Sequence, residues 1–161
     1  MSVFHTFYLS SNIKSNFDQL KKKVIEFIPK IPLDIAKGRA QVYENNNDVL
    51  RIWCEYFSLS IKIGGQSVKN KSEEYGIDFH YQFWFDIYTE SPRWLEEILM
   101  FIGKIMLSFD GDCILESNGE QLLLIRKDNN IVVDGKKLYG AQKFPFESLG
   151  LKYKESNLES V

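Results

Sequence analysis

A chain of 161 residues, with 44% hydrophobic and 26% charged side chains, has the composition of one globular domain rather than of a disordered segment or a fibre. Its 20 basic and 22 acidic side chains leave a net charge of −2, which excludes an overall basic field for nucleic acid or an anionic membrane. The aromatic content is 14% and includes three tryptophans.

The sequence carries no recognisable targeting or membrane-spanning segment. Its N-terminus has neither a basic region nor a long apolar run, so no secretory signal is predicted. The longest apolar stretch, from Trp94 to Leu107, is interrupted by charged residues and is too short to span a bilayer. Cys54 and Cys113 lack metal-ligand spacing and lie in apolar runs. We therefore expect two buried free thiols and a cytoplasmic location.

The N-terminal part of the chain predicts a strand, a helix and a second strand. Residues Ser2 to Leu9 are rich in Val, Phe and Tyr, which favours a strand. Apolar residues from Ser15 to Phe27 recur at spacings of three and four, which predicts an amphipathic helix that ends before Pro29. A short strand is predicted from Arg39 to Tyr43, followed by an Asn-rich turn.

A long strand is predicted from Val49 to Ile63, with a change of phase near Tyr56. Because side chains alternate with a period of two along a strand, this change indicates a bulge or a bend. Residues 66–75 are polar and are predicted as a loop. The next strand, from Gly76 to Glu90, has the clearest alternation in the sequence.

Ser91 and Pro92 then favour the start of a second helix, in which a broad apolar face begins at Trp94. Asn118-Gly119 predicts a hairpin between Cys113–Ser117 and Glu120–Arg126, because a type I′ turn needs positive φ at both central residues. Asp134-Gly135 predicts a further hairpin between Ile131–Asp134 and Lys136–Tyr139.

The predicted element order is β-α-β-β-β-α-β-β, with additional short strands near the C-terminus. Hairpin-like connections dominate this order, so we expect an α+β fold with a mainly antiparallel sheet and two helices packed on one face. Residues 1–146 are predicted to form a single domain, and residues 147–161 a polar, partly disordered tail.

The sequence shows no recognisable catalytic pattern. His5 and His80 are isolated, and neither G-x-S-x-G nor a phosphate-binding glycine loop is present. Asp110-Gly111-Asp112 resembles a fragment of a calcium loop but lacks the remaining ligands. We therefore predict a protein that is not an enzyme and that has no metal site and no cofactor. A small hydrolase or metal-dependent enzyme, with a histidine beside carboxylates, remains the least favoured class.

The small net charge conceals a segregation along the chain. Residues 73–120 contain 2 basic and 11 acidic side chains, a charge of −9, whereas residues 1–72 carry +5 and residues 121–161 carry +2. An acidic surface of this size could steer a basic partner. The alternative is a solvated acidic face whose glutamates complement the N-terminal dipole of the second helix.

Trp84 and Tyr88 are predicted to lie among carboxylates on one face of the strand that ends at Glu90. Aromatic rings beside charges are typical of protein-binding hot spots, so this face is the predicted partner-binding site. The alternative is that other strands cover the face and make Trp84 part of the core. The predicted binding residues are Asp78, Trp84, Asp86, Tyr88, Glu90, Glu96 and Glu97.

Residues 111–127 contain the pattern Gly-Asp-x-hydrophobic, then Asn118-Gly119-Glu120, three leucines and Arg126. This hairpin, with the preceding strand and helix and with Phe144-Pro145, resembles small bacterial immunity proteins of polymorphic toxin and contact-dependent growth inhibition systems. The resemblance covers residues 77–146, and Cys113 departs from it where a larger aliphatic residue is expected.

The resemblance implies a protein that neutralises a cognate toxin domain by binding it, and it carries over no catalytic residue. With the acidic segment, it favours a basic toxin, such as a nuclease, whose active site would be occluded. The alternative is a protein-interaction adaptor of the same fold, either monomeric or a homodimer that pairs through a strand edge. Neither hypothesis includes nucleic acid or a membrane as a partner.

Overall fold

The computed structural model describes residues 4–10, 17–29, 41–87, 93–138 and 144–158 of the chain. The strands in these segments, numbered in chain order, are β1 (Phe4–Leu9), β2 (Gln41–Asn45), β3 (Val49–Trp53), β4 (Phe57–Ile63), β5 (Tyr81–Ile87), β6 (Cys113–Ser117), β7 (Gln121–Lys127), β8 (Asn130–Asp134) and β9 (Lys154–Ser156). The α-helices are α1 (Phe17–Phe27), α2 (Gln66–Tyr75) and α3 (Trp94–Ser108). Two short 3₁₀ helices span Gly135–Leu138 and Phe146–Leu149.

The nine described strands form one sheet in the order β2-β3-β4-β5-β1-β6-β7-β8-β9. All neighbouring pairs are antiparallel except β8 and β9, which are parallel. The predicted α+β class with a mainly antiparallel sheet is therefore confirmed. The predicted element order was incomplete, because a helix lies between β4 and β5 and the sheet has more strands than expected.

The sheet has a large core on one face and a smaller one on the other. Helices α1 and α3 pack on the first face, where Val24 and Ile102 join the aromatic side chains of the central strands. Helix α2 packs on the opposite face, where Val68 contributes to a separate cluster with Tyr8 and Ile114. The prediction of two helices on one face is therefore correct for α1 and α3, but it missed α2, whose residues were predicted to be a loop.

The predicted long strand from Val49 to Ile63 is a hairpin of two strands, β3 and β4. The chain reverses at Cys54–Tyr56, and the Cys54 amide donates to the Phe57 carbonyl over 2.9 Å. Leu50 lies opposite Ile61 across the pair, and both are buried. The change of phase near Tyr56 thus marks a reversal of the chain that returns the apolar residues to the same core.

The C-terminal elements differ from the prediction in two places. Strand β8 turns back from β7 at Asp128-Asn129, where both residues have positive φ (51° and 68°), and Gly135–Leu138 is a 3₁₀ helix instead of a hairpin strand. The predicted polar tail supplies β9, and Leu149 and Leu158 are buried in the two clusters. Residues 147–158 therefore pack against the domain.

The strand predicted from Gly76 to Glu90 begins only at Tyr81, and residues 88–90, together with the predicted helix start at Ser91 and Pro92, lie outside the described residues. Two further local predictions agree with the structure. Asn118 and Gly119 have φ of 51° and 73°, as a type I′ hairpin requires. Cys54 and Cys113 are free and buried. Within the described segments, no helix combines the length and the apolar character needed to cross a bilayer.

Candidate functional site

Strand β5 presents two predicted site residues together on the sheet face opposite the main core. Phe83 and Phe85 point into the main core, so the alternation of the strand places Trp84 and Asp86 on the other face. Trp84 is partly exposed and Asp86 is exposed. The indole Nε1–H of Trp84 donates to Oδ1 of Asp86 over 3.2 Å, which fixes the carboxylate relative to the ring.

Strand β1 adds an aromatic ring to this pair. Phe4 lies opposite Asp86 in the β1–β5 ladder. The Phe4 ring stacks on the Trp84 indole, with centroids 4.3 Å apart and planes inclined by 9°. Stacked rings on a hydrogen-bonded sheet lose little further conformational freedom when a partner binds, so the pair is preorganised for recognition.

The hairpin between β6 and β7 holds Phe4 in place. The Phe4 amide donates to Oδ1 of Asn118 over 3.2 Å, and the Asn118 amide donates to the Phe4 carbonyl over 2.9 Å. A Cβ at Gly119 would lie 3.8 Å from the Phe4 ring, so the turn runs beside the ring with room for little more than one added carbon. The turn that carries the family resemblance therefore positions one member of the aromatic stack.

Strands β3 and β4 extend the same face. Ser58 lies opposite Asp86, and Ser60 lies opposite Trp84. Trp53 lies opposite Ser58 on the next strand, and these three residues of β3 and β4 are partly exposed. We call the resulting set the aromatic surface; it comprises Phe4, Trp53, Ser58, Ser60, Trp84 and Asp86.

A row of polar side chains runs across the sheet through Trp84. Ser60 and Thr6 lie opposite Trp84 on its two neighbouring strands. Both hydroxyl oxygens are buried and have no hydrogen-bond partner within the described part of the chain. Glu116 continues the row beyond Thr6 and is only 1% exposed.

Helix α2 supplies the partners of Glu116. Oε2 of Glu116 accepts hydrogen bonds from Nζ of Lys71 over 2.9 Å and from the Tyr75 hydroxyl over 3.0 Å. Burial and then the nearby Glu116 carboxylate raise the pKa of Tyr75, so this phenol stays protonated and donates. The acidic Glu116 is therefore a structural group inside the domain and is not part of an exposed acidic surface.

The remaining predicted site residues lie away from the aromatic surface. Asp78 precedes the opposite end of β5, eight residues or roughly 26 Å along an extended chain from Asp86, and its carboxylate lies 3.4 Å from His80. Glu96 and Glu97 occupy the first turn of α3, which packs on the other face of the sheet. Tyr88 and Glu90 lie outside the described residues.

The described part of the acidic segment is divided among several local partners. Glu96 and Glu97 both approach Arg93, at 3.7 and 3.4 Å. Oδ1 of Asp112 accepts from the Asp128 amide over 3.0 Å. The geometry brings Trp84 and Asp86 together and places Glu96 and Glu97 on the helix that packs on the opposite face of the sheet, so these four predicted residues do not share one surface.

The sequence analysis missed Phe4, Trp53, Ser58 and Ser60 as members of the site. Trp53 and Ser58 lie close together in sequence on the two arms of one hairpin, so recognition of that hairpin would have placed both near the same surface. Phe4 carries no such local pattern, because its position depends on β1 lying between β5 and β6.

Burial shifts the pKa values of three titratable side chains of the described core, His5, Cys54 and Cys113. Burial lowers the pKa of His5 to about 4, and the ring lies among aromatic side chains. Burial raises the pKa of Cys54 to about 11 and that of Cys113 to about 12, so both thiols are protonated at neutral pH and are poor nucleophiles. Among the described residues, no three His, Cys, Asp or Glu side chains cluster as metal ligands would.

Comparison with protein-family models, with curated proteins and with solved structures finds no match to this chain.

Proposed function

We propose that this protein acts by binding another protein through the aromatic surface, as a cytoplasmic immunity protein that occludes a toxin domain. The observation that carries the proposal is the partly exposed Phe4–Trp84 stack with Asp86 hydrogen-bonded to its indole. Tryptophan is enriched at binding hot spots, because its ring offers a large apolar area that is desolvated at low entropic cost.

The composition of the surface supports a protein partner over a small molecule. The partly exposed rings and hydroxyls lie on a sheet face, where a broad complementary surface can exclude water from Trp84. A polar rim is provided by Ser58 and Asp86. Enzymatic function has less support, because His5 lies among aromatic rings and both thiols are protonated at neutral pH. His80 does have a carboxylate neighbour, Asp78, but that carboxylate is exposed to solvent.

A toxin as the partner is supported by the resemblance of the β6–β7 hairpin to bacterial immunity proteins. In this chain Asn118 of that hairpin holds the Phe4 backbone, so the family-like segment and the aromatic surface form one unit. The carboxylate of Asp86 adds a negative charge, which favours a partner with a basic contact surface.

The test is co-expression with a toxin-like C-terminal domain encoded immediately upstream of this chain. We expect the wild type to restore growth and to bind the purified domain. Trp84→Ala should weaken binding by roughly 30-fold or more, as truncation of a hot-spot tryptophan costs about 2 kcal/mol or more. Leu107→Ala, which removes a 76% exposed residue of α3 on the other layer, is the matched control and should bind like the wild type.

Circular dichroism and thermal unfolding must show that the Trp84→Ala protein is folded at the assay temperature. Asp86→Lys provides a second variant, because Asp86 is exposed and its replacement leaves the core intact. Unchanged protection and affinity in both folded variants would contradict the assignment of the aromatic surface. Absence of any protection by the wild type would contradict the proposed function itself.

A second candidate function, a homodimeric adaptor, is favoured by the edge strand β2. This strand ends the described sheet, and its Val42 and Tyr43 are 42% and 57% exposed. An exposed edge with apolar side chains can pair with a second copy. Size-exclusion chromatography with light scattering would show a dimer that Val42→Lys converts to a monomer; a monomeric wild type would eliminate this candidate.

A further inference from the structure

We infer that Trp84 and Asp86 together receive an arginine side chain of the partner protein, an inference that rests on the proposed function and names the group that the aromatic surface recognises. Asp86 Oδ1 is occupied by the Trp84 indole N–H, 3.2 Å away. No described lysine, arginine or histidine forms an ion pair with Asp86. Within the described part of the chain the carboxylate is thus oriented but not neutralised, and Oδ2 can accept from an external donor.

The indole offers a second contact to a cation. Phe4 covers one face of the Trp84 ring, so the exposed part of the indole belongs to its other face and its edges. Tryptophan is the aromatic side chain that attracts cations most strongly. Because the indole N–H fixes the carboxylate beside the ring, one cationic group can contact both at the same time.

The side chains around Trp84 and Asp86 favour a cation supplied by the partner protein over one supplied by this chain. Arg51 lies on the same sheet face two strands from Trp84, but its guanidinium is engaged by Glu44 over 2.5 Å. Ser58 lies directly opposite Asp86, where cross-strand Cβ atoms are about 5 Å apart. Its partly exposed hydroxyl can accept a further hydrogen bond from a group already bound at the carboxylate.

These features select guanidinium over ammonium. A guanidinium is planar, so it can stack on an indole while its N–H groups point in the ring plane toward a carboxylate and a hydroxyl. An ammonium is a compact, strongly hydrated charge that cannot make the stacked contact in the same way. An arginine contact also agrees with a basic toxin domain, because arginine is enriched at binding hot spots.

The experiment uses the full chain labelled with ¹⁵N and three capped octapeptides that alternate glycine with arginine, lysine or citrulline. The Trp84 indole N–H, assigned through Trp84→Phe, reports binding in titrations at low salt. We expect a saturable shift with the arginine peptide, weaker binding of the lysine peptide by roughly fivefold or more, and no saturable shift with the citrulline peptide.

Asp86→Asn should weaken the arginine peptide by roughly tenfold, because it removes the charge and keeps the shape. Asp78→Asn removes an exposed carboxylate that precedes the far end of β5, so it is the matched control and should leave the affinity unchanged. Equal binding of the lysine or citrulline peptide, no saturable shift with arginine, or an unaffected Asp86→Asn protein would each overturn the inference. Loss of toxin binding in Trp84→Ala would still support the proposed function in those cases.

Discussion

Nζ of Lys71 lies 2.9 Å from the carboxylate of Glu116, which is almost completely buried on β6. This ion pair joins α2 to the sheet, and the Tyr75 hydroxyl donates to the same carboxylate. Val68 is the only residue of α2 within the described structure that is buried and apolar. A polar attachment therefore contributes to holding a helix that has a small hydrophobic face.

Removal of Lys71 should strongly destabilise the domain. In Lys71→Met the Glu116 carboxylate would remain buried with the Tyr75 hydroxyl as its main partner, and an uncompensated buried charge costs about 3 kcal/mol. The double variant Lys71→Met, Glu116→Leu removes both charges and should be more stable than the single variant. Urea unfolding of the wild type and the variants measures these free energies.

The comparison with the double variant separates the ion pair from a general packing effect. Lys69→Met alters an exposed lysine of the same helix and should change the free energy of unfolding by less than about 0.5 kcal/mol. A double variant that is less stable than Lys71→Met would show that Glu116 stabilises the fold through contacts other than this pair.

Helix α2 illustrates what sequence periodicity could not predict. Its sequence, QSVKNKSEEY, has no apolar residues at spacings of three and four, and Lys71 and Tyr75 attach it to the sheet through hydrogen bonds to Glu116. The strands and helices of the main core have long apolar faces, and these elements were predicted, although Val49–Ile63 was predicted as one strand and the strand predicted from Gly76 begins at Tyr81. The spacing of apolar residues identifies an element that is held in place by hydrophobic burial. It does not identify an element that is held in place by polar contacts with residues distant in sequence.

The turns show the same dependence on local chemistry. Asn118-Gly119 was predicted correctly because that dipeptide strongly favours positive φ. The reversal at Cys54–Tyr56 contains no glycine, proline or asparagine, so only the change of apolar phase revealed it. Asp128-Asn129 was missed in favour of Asp134-Gly135, although aspartate and asparagine also tolerate the left-handed region.

The candidate site was partly predictable for a related reason. The alternation of β5 places Trp84 and Asp86 on one face, and this required only the local sequence. The stacking of Phe4 on Trp84 depends on β1 pairing with β5, and the intervening residues 10–80 separate the two strands, so no local pattern specifies the pairing. Glu96 was grouped with Asp86 because the two residues are close in sequence. The structure places them apart, since α3, which carries Glu96, packs on the opposite face of the sheet from Asp86.

Arg126 should be essential for the stability of the junction between α3 and β6. Its buried guanidinium donates to the carbonyls of Met106, Phe109 and Gly111, at 2.6, 2.8 and 2.7 Å. It therefore satisfies backbone acceptors at the C-terminal end of α3. Its positive charge also interacts favourably with the negative end of the helix dipole there. We expect Arg126→Met to lower the free energy of unfolding by about 3 kcal/mol, measured by urea denaturation.

Arg126→Lys tests whether the planar, forked guanidinium is required, because an ammonium cannot donate to three separated carbonyls in the same directions. It should recover only part of the loss. Lys127→Met, at the exposed neighbouring position, serves as the matched control and should change stability little. Full recovery by lysine would show that charge alone accounts for the effect.

Gly103 permits the close approach of α3 to the 3₁₀ helix Phe146–Leu149. A Cβ at this position would lie 2.0 Å from the carbonyl oxygen of Leu149, which is backbone and cannot rotate away. Gly103→Ala should therefore destabilise the domain by about 1–3 kcal/mol, although alanine favours a helix by about 1 kcal/mol in an unhindered position. Thermal unfolding, with Lys104→Ala at an exposed site as control, measures the difference; a stabilised Gly103→Ala protein would contradict the packing.

His5 should make the folded state sensitive to mild acid. Burial lowers its pKa from 6.5 to about 4, so the unfolded chain binds a proton before the folded protein does. The free energy of unfolding should be unaffected by this group above pH 6.5, should fall as the pH decreases from 6.5 to 4, and should level off below that range. The full difference corresponds to about 3 kcal/mol.

His5→Leu isolates this contribution, since leucine of similar volume does not titrate. Its unfolding free energy should depend less on pH between 6.5 and 4 than that of the wild type, in urea denaturation at each pH. A His5→Leu profile parallel to the wild type would assign the acid sensitivity to other groups.

Charge reversal should show which face of the sheet binds the partner. If the toxin domain binds the aromatic surface, Asp86→Lys should slow association and reduce its dependence on salt, because it reverses the charge nearest the contact. Glu96→Lys changes the charge by the same amount, but Glu96 lies on α3 across the sheet and beside Arg93. Its association rate should stay within about twofold of the wild type, since screening over a Debye length weakens distant charges. Stopped-flow association at several salt concentrations measures both; equal slowing by the two variants would indicate steering by the whole domain rather than contact at Asp86.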